Sequence, residues 1–144
     1  MIVTIDIATI EYYIDSKYIL YGYNDGGLTI EVDYTDRNCL PAIEMFEFGT
    51  VTGIRVPSYA GFKSATSGIG FVEFAHSTLT AVYVNCNMIR RVSDNGSSTT
   101  LIHFNNGQNL IVNVAYSTVI ASIATALQTQ LASSFSKTFL LMGA

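Results

Sequence analysis

Few residues in this chain are of a kind that does chemistry, and their spacing suits none of the usual reactions. His76 and His103 are the two histidines, Cys39 and Cys86 the two cysteines. A zinc site gathers three or four such ligands at short spacings, and these four stand singly along the chain. The cysteines are therefore expected as small buried hydrophobes rather than as a disulfide. Asp6, Asp15, Asp25, Asp33 and Asp36 could offer oxygens to calcium, but the Asp-x-Asp-x-Asp-Gly loop with its distal Glu is absent. Gly68-Ile-Gly70 and Gly26-Gly27 lack the Lys-Ser/Thr of a phosphate-binding loop and the third glycine of a dinucleotide fingerprint. No Gly-x-Ser-x-Gly elbow occurs. These positions read as turns and solvated loops, so no catalytic residue, cofactor or metal ion is expected.

What remains is charge. Arg90 and Arg91 are the one adjacent pair of cations. Duplex DNA is held by neutralising phosphates with Lys and Arg, which makes this pair the candidate nucleic-acid contact. Against it, residues 1–47 carry nine acids and only Lys17 and Arg37. Residues 48–144 carry five basic residues against Glu73 and Asp94. With so acidic a first half and no basic groove, nucleic acid is not the expected partner. Apolar residues make up 49% and charged residues 12% of the 144. So little charge leaves apolar surface to be covered by something other than water, which points to protein–protein contacts. No basic leader precedes Met1-Ile-Val-Thr-Ile-Asp-Ile7, and no apolar run approaches ~18 residues. Neither a signal peptide nor a membrane span is expected.

The elements that would position any site come in two matching sets. Met1–Ile10 lies over Thr80–Ile89, with Val3 on Val82, Ile5 on Val84 and Asp6 on Asn85. Tyr23-Asn-Asp-Gly26 lies over Phe104-Asn-Asn-Gly107, and Leu28–Thr35 over Leu110–Ser117. Each set reads as strands, an Asn/Asp-Gly hairpin turn and a helix. The return strands alternate: Leu28, Ile30 and Val32 against Thr29, Glu31 and Asp33, and Leu110 and Val112 against Ile111 and Asn113. That pattern fits antiparallel sheet packed on one face. Ser117 is placed to cap a helix over about 118–133, whose Val119, Ile123, Leu127 and Leu131 form one stripe. In the first set a short, late helix is expected near Pro41–Phe46.

The fold class expected is α+β, mainly β. Residues 1–47 form a first β-β-β-helix repeat, 48–79 connecting strands and a loop, and 80–144 a second repeat with an apolar tail, packed as one compact domain. In the connector, Val51–Val56 and Ile69–Phe74 look like strands and Ser58–Ser67 like a loop. The tail Phe139-Leu140-Leu141-Met142 reads as a closing strand or as an arm docking on a neighbour. Tyr12, Tyr13, Tyr18, Tyr21 and Tyr23 crowd the first repeat and are, with the tail, the interface candidates.

The run Phe71-Val-Glu-Phe74, Val82-Tyr-Val-Asn85, Thr100-Leu-Ile-His-Phe-Asn-Asn-Gly107 and Leu110-Ile-Val112 resembles small virion proteins of tailed phages. It is also similar to short FlbD-type flagellar-operon proteins and, more distantly, to the strand repeats of LytTR-type DNA-binding domains. The phage resemblance implies a non-enzymatic capsid-decoration, ring or head–tail protein, located in the virion after assembly in the host cytoplasm. Its partners would be copies of itself or other virion proteins. The LytTR resemblance implies instead a small regulatory or adaptor module touching nucleic acid through Arg90 and Arg91.

Overall fold

A computed structural model describes residues 2–7, 10–24, 28–32, 54–56 and 59–141. The expected short helix at 41–46, Cys39 and the boundary at 47/48 lie outside the described residues. Strands β1 (Ile2–Ile7) and β2 (Ile10–Asp15) form an antiparallel pair. A 3₁₀ turn at Ser16–Tyr18 leads into β3 (Ile19–Asn24) and β4 (Leu28–Val32). Then come β5 (Ile54–Val56), helix α1 (Tyr59–Ala65), β6 (Phe71–Phe74) and β7 (Val82–Asn85). A second 3₁₀ turn at Cys86–Met88 precedes β8 (Ile89–Gly96), β9 (Thr99–Phe104) and β10 (Asn109–Val112). The long helix α2 (Tyr116–Leu141) follows. The chain is thus α+β, mainly β.

Strands β5-β4-β3-β7-β6 make a five-stranded sheet in that order, and β10-β9-β8 a three-stranded one. All their pairings are antiparallel. Residues from both sheets and from α2 meet in one core: Leu20, Phe74, Val82, Val84, Ile102, Phe104, Leu110, Val112 and Val119 are all buried. The other face of the five-stranded sheet is covered by α1. There Phe62 meets Phe71 and Tyr83 edge-on, each at 5.7 Å between ring centroids. In β10 the apolar alternation works as the sequence implies, with Leu110 and Val112 buried and Asn109 and Ile111 exposed.

Three sequence expectations need correction. Residues 58–67 are not a plain loop, because α1 occupies most of them. Gly61 argues against a helix, but burial of Phe62 overrides local propensity. Thr66 then closes the last turn, its hydroxyl and N–H both donating to the Phe62 carbonyl. The tail through Leu141 is not a closing strand; it continues α2, which no Gly or Pro interrupts before Gly143. Met142 lies outside the described residues. Finally, Glu31 does not face solvent. It is buried because the five-stranded sheet is covered on both faces, which a single-face alternation does not anticipate.

The β8–β9 turn carries a local cost. Ser97 and Ser98 have φ of 51° and 59°, the left-handed region that disfavours residues with a Cβ. A two-residue turn with positive φ at both positions favours Asn-Gly. Replacing Ser97 with Asn and Ser98 with Gly together is expected to stabilise the chain by about 1 kcal/mol, read as a higher urea midpoint at unchanged slope.

Candidate nucleic-acid interface

Strand β8 is an edge of the three-stranded sheet, and its register breaks between Ile89 and Arg91. Ile89 and Val92 both pack against the core. A regular strand cannot send residues three apart to the same face, since its side chains alternate with period two. The bulge at Arg90 reconciles them, and its result is that Arg90 and Arg91 are both exposed. Among the described residues neither guanidinium has an acidic partner, whereas Lys63 is tied to Glu73 at 2.8 Å.

Beyond β8, the sheet face turned from the core continues the pattern. Arg91, His103 and Asn109 lie in one cross-strand row, and Ser93, Leu101 and Ile111 in the next. His103 is buried, with its Nε2 3.0 Å from the Ser93 hydroxyl, while Asn109 and Ile111 are exposed. The face therefore offers two cations, an exposed amide and an apolar side chain on a rigid sheet. His103 and Asn109 were not singled out as contacts in the sequence. The spacing Ile89–Val92 around two arginines was the available signal for the bulge, and for the face it creates.

The other candidates fall elsewhere. Tyr12 and Tyr13 lie on β2 opposite Ile5 and Thr4, with their side chains outside the description. Tyr18 is buried, and Tyr21 and Tyr23 pack against the core. Tyr21 also stacks on Phe104 at 5.7 Å. Phe139, Leu140 and Leu141 are in the last turn of α2. The Cys86 thiol is free and buried, and burial pushes its pKa up to about 12, which leaves it unreactive. Glu73 is held below the usual carboxylate range, chiefly by its hydrogen bond from Lys63 and further by that from Tyr59. Among the described residues no three His, Cys, Asp or Glu side chains gather as a metal site, and no helix is long and apolar enough to cross a membrane.

Glu31 shows the opposite shift. It is 5% exposed, opposite Tyr21 in the sheet, and its Oε2 has no hydrogen-bond partner among the described residues. Burial raises its pKa above the ordinary 4.5. Its protonated form is thus favoured by folding, so stability is full below that value and falls as pH rises through the folded pKa. Glu31→Gln is expected to stabilise the chain by about 1 kcal/mol at pH 7 and to change little at pH 4, read from denaturant midpoints at the two pH values.

No family model and no curated protein matches the sequence. The fold does have a solved counterpart. A LytTr DNA-binding domain of a response regulator from Bacillus cereus superposes with a TM-score of 0.56 at 16% identity, over 85% of this chain and 95% of that one. The fold is LytTr-like. That likeness corrects the resemblance to tailed-phage virion and FlbD-type flagellar-operon proteins, together with the virion, phage and capsid-decoration roles drawn from it. Hydrophobic spacing and one Asn-Gly turn are common to many hairpin-and-helix arrangements, and they carried that resemblance alone. The expected partners, copies of the chain or other virion proteins, lose their ground with it. So does the expectation that nucleic acid is not a partner: it rested on charge averaged along the chain, whereas Arg90 and Arg91 stand together on one sheet edge.

Proposed function

We propose that this chain is a non-enzymatic regulatory module that binds duplex DNA through the exposed face of its three-stranded sheet. The observation that carries the reading is the pair Arg90 and Arg91, both thrown outward by one bulge and without acidic partners among the described residues. The LytTr-like fold supports it, since the Bacillus cereus neighbour is described as DNA-binding. Arg90 and Arg91 would hold phosphates, and exposed Asn109 could donate and accept at a base edge. The acids of residues 1–47 would keep that half away from the duplex and help orient the encounter.

The test is anisotropy of a labelled pool of random duplexes with the purified chain across a salt series. Two phosphate contacts predict log K falling with log salt at a slope of about −2 or steeper. Absence of binding at about 50 mM salt, where such contacts are strongest, would sink the proposal.

A further inference from the structure

The five-stranded sheet ends at β6. Among the described residues β6 is bordered by β7 alone. In an antiparallel pair, residues whose backbone groups point at the partner alternate with residues whose groups point away. The Cys86 N–H donates to the Gly70 carbonyl at 2.8 Å, and in the same register Val72 stands opposite Val84. Gly70 and Val72 therefore face β7, and the N–H and C=O groups of Phe71 and Glu73 face outward. Ala75, next in that series, bears this out: its carbonyl accepts from the Asn113 N–H at 2.8 Å. That bridge closes one end of the edge. At the other end Asn87 donates to the Ile69 carbonyl at 3.0 Å, and the Gln130 Oε1 of α2 lies 2.6 Å from where a Cβ would sit on Gly70. Gly70 itself takes a φ of +91°, which glycine adopts freely.

Between these two closures α2 passes beside the edge and leaves an open groove of about 610 Å³. Its helix wall is small and hydroxylic, including Thr118, Ala121, Ser122 and Thr125, and among the described residues no charged side chain lines it. We propose that this groove takes an extended, uncharged peptide segment of another protein, added as a sixth strand along β6. Two outward N–H/C=O pairs two residues apart repeat at about 6.7 Å, a spacing that an extended backbone matches. The small wall leaves room for alternate apolar or hydroxyl side chains of the guest. Nucleic acid is a poor occupant, because among the described residues the groove holds no cation to meet a phosphate.

A phage-displayed library of linear peptides, selected on the full chain, supplies the probe, and synthetic copies of the enriched sequences are then titrated. Thr125→Trp fills the groove from an exposed helix position; Gln128→Trp, exposed but not among the lining residues, is the control. The expected result is that peptide slows amide exchange at Phe71 and Glu73, and that Thr125→Trp weakens binding by about tenfold or more while Gln128→Trp leaves it unchanged. Backbone N-methylation of alternate peptide residues should abolish binding. The proposal is overturned if no sequence is enriched, if enriched peptides bind Thr125→Trp equally well, or if the two amides are already protected in the free chain, which would mean that another part of it occupies the edge. Protection of those amides by duplex DNA instead would also overturn it.

Discussion

Reversing both charges, Arg90→Glu with Arg91→Glu, is expected to lower duplex affinity by about a hundredfold at low salt and to flatten the salt slope by about two. Each arginine that neutralises a phosphate releases about one counterion, so losing two contacts removes that salt dependence as well as the affinity. A general loss of fold would not explain the result, because both residues are exposed on an edge strand. Surface substitutions there shift stability by about 0.5 kcal/mol or less. The paired replacement Arg90→Lys with Arg91→Lys separates two roles. If both arginines serve only phosphates, affinity and slope persist. If either reads a base with its two-pronged guanidinium, preference among duplex sequences weakens while the slope holds. Unchanged binding by the double glutamate variant would remove the sheet face from consideration.

The contrast between what the sequence displayed and what it concealed has a physical origin. Period-two alternation marked β10 correctly, because that strand has one face in the core and one in water. It failed at Glu31, where both faces are covered and the pattern no longer reports solvent. The Asn-Gly turn at Asn105–Gly107 was visible because Gly107 takes a φ of 89°, which glycine adopts freely. The Ser97–Ser98 turn was harder to see, since serine is an unusual choice for positive φ. Helix α1 stayed hidden because its stability comes from Phe62 docking on Phe71 and Tyr83, partners distant in sequence. At the candidate site the two arginines were legible, but their common exposure was not. A bulge is a misfit between strands: the Ile89–Val92 spacing is its one trace in the sequence, and the pairing with β9 is what places it.

Asn85→Ala is expected to cost about 3 kcal/mol, the largest stability change foreseen for a side chain of its size. The Asn85 side chain is 2% exposed and fully engaged. Its Nδ2 donates to the carbonyls of Ser16 at 3.1 Å and Ile19 at 2.9 Å. Its Oδ1 accepts from the N–H and Nδ2 of Asn87 at 3.1 and 3.0 Å. One amide thus ties the 3₁₀ turn at Ser16–Tyr18 to that at Cys86–Met88, and truncation leaves buried carbonyls unpaired. Asn85→Asp distinguishes this account from a simple loss of volume. It keeps the shape and the acceptor but points a carboxylate at two carbonyl oxygens, so its pKa is raised in the folded state. A raised carboxyl contributes stability that is present below its unfolded pKa, near ~3.9, and lost as pH rises through the folded value. The Asp variant should therefore be much weaker than the parent at pH 7 and recover at pH 4, whereas the Ala variant should show no such recovery relative to the parent. Both should also weaken duplex binding in the folded fraction. The Cys86–Met88 turn launches β8, and its Met88 carbonyl accepts from the Asn105 N–H at 2.9 Å, fixing where the strand that carries Arg90 and Arg91 begins. Urea midpoints at the two pH values decide the matter. Parallel losses for Ala and Asp at both would mean that packing, not the donated hydrogen bonds, holds the two turns together.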